Sequence, residues 1–187
     1  MFSSKKVFAN AGAPILVLLA LFASVSVAGD SGSLGTSVAA PKLGHVVGEE
    51  ALEPWKLTVF PDGAGLPSGS GSVNDGATLY GARCASCHGA NGEGALADRL
   101  VGGRGTLEEA SPVRTVGSFW PYATTLFDYV RRSMPYEAPK SLSGDEVYAI
   151  TAYVLFLNQI VAEDAVMDAT TLPRVEMPNR DGFVSDY

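Results

Sequence analysis

The stretch YGARCASCHGANGEG, residues 80–94, contains both cysteines of the chain, Cys84 and Cys87, and one of its two histidines, His88. Two residues separate the cysteines, and the histidine follows the second cysteine directly. This spacing lets a single helical turn present both sulfur atoms to one bound group. The stretch therefore predicts a site at which two thiols and an imidazole act together.

Composition narrows the classes of protein that the rest of the chain can form. Its 187 residues suit one modest domain with extensions, and 47% hydrophobic content excludes a disordered chain. The formal charge of −7 argues against nucleic-acid binding, which normally uses a basic surface. No glycine-rich phosphate-binding pattern is present, and two cysteines are too few for a disulfide framework.

The N-terminus predicts export from the cytoplasm. Lys5 and Lys6 precede a long uncharged run, and small residues lead up to Ala28, so residues 1–28 are expected to form a signal peptide cleaved after Ala28. A retained membrane anchor is the alternative, because the 23 uncharged residues from 7 to 29 are just long enough to span a bilayer. Both interpretations place the remaining chain in the periplasm. Cleavage would remove two lysines and change the formal charge from −7 to −9.

Three interpretations compete for the CASCH string in an oxidising compartment. A redox-active C-x-x-C pair needs a preceding strand and a β-α-β pattern, which the sequence lacks. A zinc site needs two further ligands, and only His45 remains as a spare histidine. The third interpretation is covalent attachment of a c-type haem, in which both thiols form thioethers and the histidine binds iron. This interpretation also leaves no free thiol exposed to oxidation.

The motif therefore predicts one covalently attached haem c held by Cys84 and Cys87, with His88 as an iron ligand. An electron carrier of this kind needs a sixth ligand. Met134 is the predicted one, because Pro135 disfavours helix at the preceding residue and leaves the methionine on extended backbone. His45 and an open sixth site remain as alternatives.

The helix that leads into the motif is predicted at residues 72–84. Ser72 and Asn74 are candidate caps, and Gly76 and Tyr80 lie four residues apart on one face. A glycine inside a helix costs about 1 kcal/mol relative to alanine. We therefore expect Gly76 to permit the close approach of another helix.

Two further helices complete an all-α prediction. One is expected to begin at Pro121, a residue suited to the first helical position, and carries an apolar stripe. The other opens with Ser143 and Glu146 as a capping box, and it is apolar nearly all round from residue 147 to 157. That pattern predicts burial on several sides.

Gly76 and Tyr80 before CASCHG, the Met134-Pro135 pair and the final segment SGDEVYAITAYVLFLN resemble the single-haem class I cytochrome c domain. The resemblance covers residues 73–160. It implies a cytochrome c-like fold whose first and last helices cross at the glycine and an aromatic residue. It also implies that the activity is electron transfer and that the protein itself catalyses no reaction.

Longer strings resemble a narrower group. FPDGAGLPSGSGSV (60–73), TVGSFWPYATTLFDYVRRSMPYEAP (115–139) and LPRVEMPNRDGF (172–183) look like the cytochrome subunits that partner molybdenum sulfite or sulfane dehydrogenases of bacterial sulfur oxidation. That resemblance implies a molybdenum dehydrogenase as electron donor and a respiratory cytochrome or oxidase as acceptor. The longer members of the group carry two haems, whereas this chain has one C-x-x-C-H motif.

The segments on either side of the predicted domain are expected to be irregular. Residues 29–72 are interpreted as a linker and an N-terminal arm, and residues 161–187 as a C-terminal tail. Arg131, Arg132 and Lys140 lie on either side of Met134 and indicate either a basic rim or an ordinary solvated face. A general electron shuttle for another dehydrogenase and a haem enzyme or sensor with an open sixth site remain alternative functions.

Overall fold

The computed structural model describes residues 43–184, and helices dominate it. In chain order the elements are α1 (Glu49–Leu52), a 3-10 turn (Glu53–Trp55), β1 (Ser70–Ser72), α2 (Val73–Arg83), α3 (Ala85–His88), α4 (Ala123–Ser133), α5 (Gly144–Leu157), β2 (Val166–Asp168) and a second 3-10 turn (Leu172–Arg174). The predicted signal peptide or anchor lies outside the described residues, as does the first part of the predicted linker. Within residues 43–184, no helix combines the length and the apolar character needed to cross a bilayer.

Helix α2 begins directly after Ser72, the first of the two predicted caps. The Ser72 hydroxyl accepts a hydrogen bond from the backbone N–H of Asp75 at 3.1 Å, which satisfies one of the free donors of the first turn. The helix ends at Arg83, and the N–H of the capping residue Cys84 still donates to the carbonyl of Tyr80. The first cysteine of the motif is therefore fixed by the end of a regular helix.

Helices α2 and α5 cross in close contact at Gly76. A β-carbon at Gly76 would overlap the carbonyl oxygen of Ala149 and would lie 2.8 Å from the β-carbon of Tyr153. The ring of Tyr153 in turn lies 5.3 Å from the ring of the buried Tyr80. The expected crossing of the first and last helices at a glycine and an aromatic residue is confirmed.

Helix α5 forms the centre of the core. Its capping box is present, since the Ser143 hydroxyl accepts from the N–H of Glu146 and the Glu146 carboxylate accepts from the N–H of Ser143. Most of its side chains are buried, which matches the nearly uniform apolar pattern. Burial on several sides requires α2, α4 and the β1–β2 pair to pack around it, and each of them contacts it.

Helix α4 starts two residues later than predicted. Pro121 lies outside the helix, Tyr122 occupies the cap position without a side-chain hydrogen bond, and the first helical residue is Ala123. The proline fixes its own φ angle but cannot by itself decide where the helical hydrogen bonds begin. The predicted apolar stripe is buried, and its members are Ala123, Leu126, Phe127 and Val130.

A small antiparallel sheet modifies the all-α prediction. Strand β1 pairs with β2, with Ser70 opposite Asp168 and Ser72 opposite Val166. The side chain of Met167, at the centre of β2, is buried in the core. The fold therefore contains one short strand pair in addition to the cytochrome c-like helices. Because β2 lies in the predicted C-terminal tail, that tail is not irregular throughout.

Candidate functional site

The two cysteines belong to a single helical turn, with Cys84 at its cap and Cys87 within it. Cys84 lies between α2 and α3 and caps both, and the four-residue helix α3 carries Cys87 and His88. The N–H groups of Cys87 and His88 both donate to the carbonyl of Cys84, at 3.1 and 3.0 Å. Gly89 follows at a φ of 83°, a left-handed conformation that suits glycine and ends the turn.

A hydrogen bond to the backbone orients the imidazole of His88. Its Nδ1 lies 2.7 Å from the backbone carbonyl oxygen of Asp98. Because a carbonyl can only accept, Nδ1 is the donor of this hydrogen bond, and in the neutral imidazole Nε2 then carries the lone pair that can bind a metal. The chain around Asp98 is fixed to the motif, since the N–H of Ala97 donates to the carbonyl of Cys87 at 2.8 Å.

A cavity of about 530 Å³ brings together all four residues predicted to bind the cofactor: Cys84, Cys87, His88 and Met134. Its volume lies within the range of about 300–1,000 Å³ found for bound small molecules and cofactors. The wall between the ligating groups is mainly apolar, with contributions from Leu100, Val116, Trp120, Leu126, Ile150 and Val154. Two thiols, a free imidazole nitrogen and a thioether around an apolar cavity fit a haem c.

Met134 has the backbone conformation that the following proline predicts. It caps α4 with φ −120° and ψ 149°, and its N–H donates to the carbonyl of Val130. The extended backbone at this point carries the side chain out of the helix, and the residue lines the cavity. Met134 therefore lines the same cavity as His88, and its role as the sixth ligand stays a prediction.

The competing candidates lie elsewhere. Met167 and Met177 are buried in the hydrophobic core and do not line the cavity. His45 is exposed and is likewise absent from the cavity wall. Among residues 43–184, no group of three histidine, cysteine or acidic side chains is positioned to hold a metal ion, which argues against the zinc interpretation.

The environment of Cys84 also disagrees with a redox-active thiol pair. Burial raises the pKa of the Cys84 thiol to about 11, and the nearby Glu137 carboxylate acts in the same direction. Redox-active cysteines need the opposite shift, because the thiolate is the reactive form. A half-buried neutral thiol that lines an apolar cavity agrees better with a cysteine that is consumed by a thioether bond.

Sequence reasoning missed the side chain that fixes the loop beneath His88. The buried Asn158, at the end of α5, donates from Nδ2 to the carbonyls of Leu100 and Val154 at 3.1 and 2.9 Å. Leu100 is two residues from Asp98, so Asn158 holds the segment whose carbonyl orients His88. Nothing in the sequence around Asn158 distinguishes it from an ordinary residue at a helix end.

The predicted basic rim around Met134 is engaged in other contacts. Arg132 forms an ion pair with the buried Asp128, and Arg131 donates to the carbonyl of Gly65. The ammonium of Lys140 lies 5.3 Å from the ring of Trp55. The arginines that line the cavity are instead Arg83, Arg99 and Arg114.

Two comparisons with known proteins agree with this site. Residues 71–154 match the family described as cytochrome c oxidase, cbb3-type, subunit III. A chain in the crystal structure of the sulfane dehydrogenase SoxCD from Paracoccus pantotrophus is 44% identical and superimposes with a TM-score of 0.74. The similarity covers 78% of the present chain and 72% of that chain. The present chain therefore belongs to the class I c-type cytochromes, and it is an electron-transfer protein with covalently bound haem c.

Proposed function

We propose that this cytochrome accepts electrons one at a time from a molybdenum-containing sulfane or sulfite dehydrogenase in the periplasm and passes them to the respiratory chain. The observation that carries the proposal is the 44% identity to a chain of SoxCD over 78% of the present chain. Such identity extends well beyond the haem motif into the segments that surround the cavity. It supports a shared partner as well as a shared fold.

One haem per chain is part of the proposal. The sequence contains only two cysteines, which suffice for a single C-x-x-C-H motif. Cys84 and Cys87 would form the thioethers, Nε2 of His88 would bind the iron and the sulfur of Met134 would complete its coordination. A haem c held in this way supplies reversible one-electron oxidation and reduction of its iron.

The protein's own residues favour the reduced state of such a group. The apolar wall excludes water and lowers the local dielectric constant, which disfavours the additional positive charge of the oxidised form. A methionine ligand acts in the same direction. The neutral carbonyl of Asp98, which accepts from His88, fixes the imidazole without adding a full negative charge to the ligand. These features suit an acceptor of moderately high potential.

Electron entry is proposed at the mouth of the cavity. Leu96 and Tyr136 line the cavity, yet they are 87% and 85% exposed. Arg83, Arg99 and Arg114 border the same cavity, although the chain as a whole is acidic. An exposed apolar centre with arginines around it suits brief contact with an acidic surface, and such contacts are commonly small and weak.

Stopped-flow reduction tests this function. The oxidised cytochrome is mixed with the purified dehydrogenase and its sulfur substrate over a series of salt concentrations. Replacing Arg83 by Glu should slow reduction several-fold at low salt and less as salt rises, because complementary charge speeds the encounter and salt screens it. Arg174→Glu is the matched control, since Arg174 is exposed and does not line the cavity.

Wild-type protein that is not reduced by the sulfur dehydrogenase, but is reduced quickly by another dehydrogenase of the same organism, would contradict the sulfur assignment. A general periplasmic shuttle would then be the better description. The match to an oxidase subunit favours that second candidate, because it shows the same domain in a protein of the respiratory chain.

The periplasmic location rests on the sequence of residues 1–28, with its two lysines and uncharged run. Cleavage after Ala28 would release a soluble carrier, whereas a retained segment would tether it to the membrane. N-terminal sequencing of the protein purified from a periplasmic extract distinguishes these forms.

A further inference from the structure

We propose that residues 45–56, which we call the exposed arm, form a docking element for the molybdenum subunit that donates electrons. The inference rests on the proposed function and names the surface that holds the two proteins together. The partner's site would be an apolar groove bordered by lysine or arginine side chains. The surface through which electrons enter, at the cavity mouth, would then be distinct from the surface that attaches the partner, which is the arm.

Apolar side chains of the arm are exposed to solvent. Val46 is 97% exposed and Trp55 is 74% exposed, and Val47 and Leu52 are also exposed. Helix α1, which lies within the arm, has no buried residue. A group of exposed apolar side chains in one short segment typically marks an interaction surface, because leaving them in water gives no stability to the fold.

The chain immediately after the arm behaves differently. Val59 is buried, and its N–H donates to the carboxylate of Asp128 at 2.9 Å. The carbonyl of Pro67 accepts a hydrogen bond from the hydroxyl of the buried Tyr148 at 2.9 Å. The segment from Val59 to Pro67 is thus fixed to the domain by packing and hydrogen bonds. Of its three large apolar side chains, Val59 is buried, Leu66 is half-buried and Phe60 is 55% exposed, whereas the large apolar side chains of the exposed arm are all exposed.

The arm lies beside the loop that borders the cavity. The ammonium of Lys140 is 5.3 Å from the centre of the Trp55 ring. Lys140 belongs to the loop that follows Met134, and the same loop carries Tyr136 at the mouth of the cavity. The arm therefore contacts the same loop that carries a residue of the cavity mouth, which places it next to the proposed point of electron entry.

Charge indicates the chemistry of the partner's site. Glu49, Glu50 and Glu53 give the arm three carboxylates against the single ammonium of Lys56, which pairs with Glu49 and Glu53 at 2.9 and 2.7 Å. The arm therefore presents apolar side chains together with a net negative charge. A groove with basic side chains along its edge complements both properties. The net negative charge of the arm also disfavours pairing between two copies of it.

The test uses the mature haem-containing protein with Val46, Leu52 and Trp55 all replaced by Ser, and the purified molybdenum subunit as the probe. Val166→Ser is the matched control, because Val166 is an exposed apolar residue of strand β2 outside the arm. Sedimentation velocity measures the affinity of the complex, and stopped-flow measures its electron transfer. Reduction by ascorbate verifies that the haem site is intact in each variant.

We expect the triple variant to lose affinity by about tenfold or more, since buried aromatic anchors dominate most protein interfaces. The rate at saturating partner should stay near that of wild type, and Val166→Ser should match wild type in both measurements.

Equal affinity of wild type and the triple variant would overturn the inference while leaving the proposed function intact. If wild-type protein neither binds the molybdenum subunit nor is reduced by it, both proposals fail. A wild-type dimer that the triple substitution converts to monomer, with partner affinity unchanged, would make the arm a contact between copies and would also overturn the inference.

Discussion

The crossing of α2 and α5 gives a quantitative prediction from one position. In the variant Gly76→Ala, the new β-carbon would overlap the carbonyl oxygen of Ala149 and would lie 2.6 Å from its carbonyl carbon and 2.8 Å from the β-carbon of Tyr153. Ordinary carbon–carbon contacts begin at about 3.5 Å, so α5 must move away by roughly 1 Å. Two of the three obstacles are backbone atoms, which cannot rotate aside. We expect a loss of about 1 to 3 kcal/mol in the free energy of unfolding.

Helix α2 offers its own control for this substitution. Gly81 is exposed, and a β-carbon there would meet no atom within 4 Å. The variant Gly81→Ala should gain about 0.5 to 1 kcal/mol, because alanine loses less backbone freedom than glycine when a helix forms. The two variants make the same chemical change in the same helix. Their free energies of unfolding should therefore differ by about 1.5 to 4 kcal/mol.

Guanidinium unfolding of the haem-containing proteins, followed by circular dichroism at the helix band, measures both values. Equal slopes of the unfolding curves would show that the comparison concerns the native packing. A Gly76→Ala variant as stable as the Gly81→Ala variant would refute the reasoning. It would mean that the two helices are not in backbone contact at this position.

Two further predictions concern the cavity. Met134→Leu nearly preserves the side-chain volume and should abolish the weak far-red sulfur-to-iron band of the oxidised protein. Met167→Leu and Met177→Leu should retain that band. Persistence of the band in the Met134→Leu variant would show that Met134 is not the ligand. Asn158→Leu should cost about 1 to 3 kcal/mol of unfolding free energy by leaving the carbonyl of Leu100 without its donor. It should also shift the proton resonances of the axial histidine in the oxidised protein, and an unchanged spectrum would show that the loop beneath that histidine does not depend on Asn158.

Local signals in the sequence predict those features of the fold and the site whose partners lie within a few residues of each other in the chain. The cap at Ser72 and the capping box of α5 are formed by residues three apart, so a short window of sequence contains both partners. The C-x-x-C-H string fixes its own geometry within one turn. Gly76 was identified because a glycine is costly inside a helix unless its missing side chain is used.

Contacts between distant segments could not be predicted in the same way. Strands β1 and β2 have three residues each and are separated by most of the domain, so neither shows a recognisable strand period. The hydrogen bond from His88 ends on a backbone carbonyl, which every residue possesses. The arginines at the cavity mouth come from separate segments, and only the fold brings them together. Such features depend on tertiary packing, which single-sequence patterns do not encode.

The account's central claim is that one haem, held by the CASCH motif, carries single electrons. A reductive titration of the purified protein, with visible absorbance followed against electrons added per polypeptide, tests it most directly. We predict a single transition that is complete after one electron per chain, with the haem remaining attached when the protein is denatured. A protein that takes up two electrons, or none, or that releases its haem on denaturation, would contradict the account.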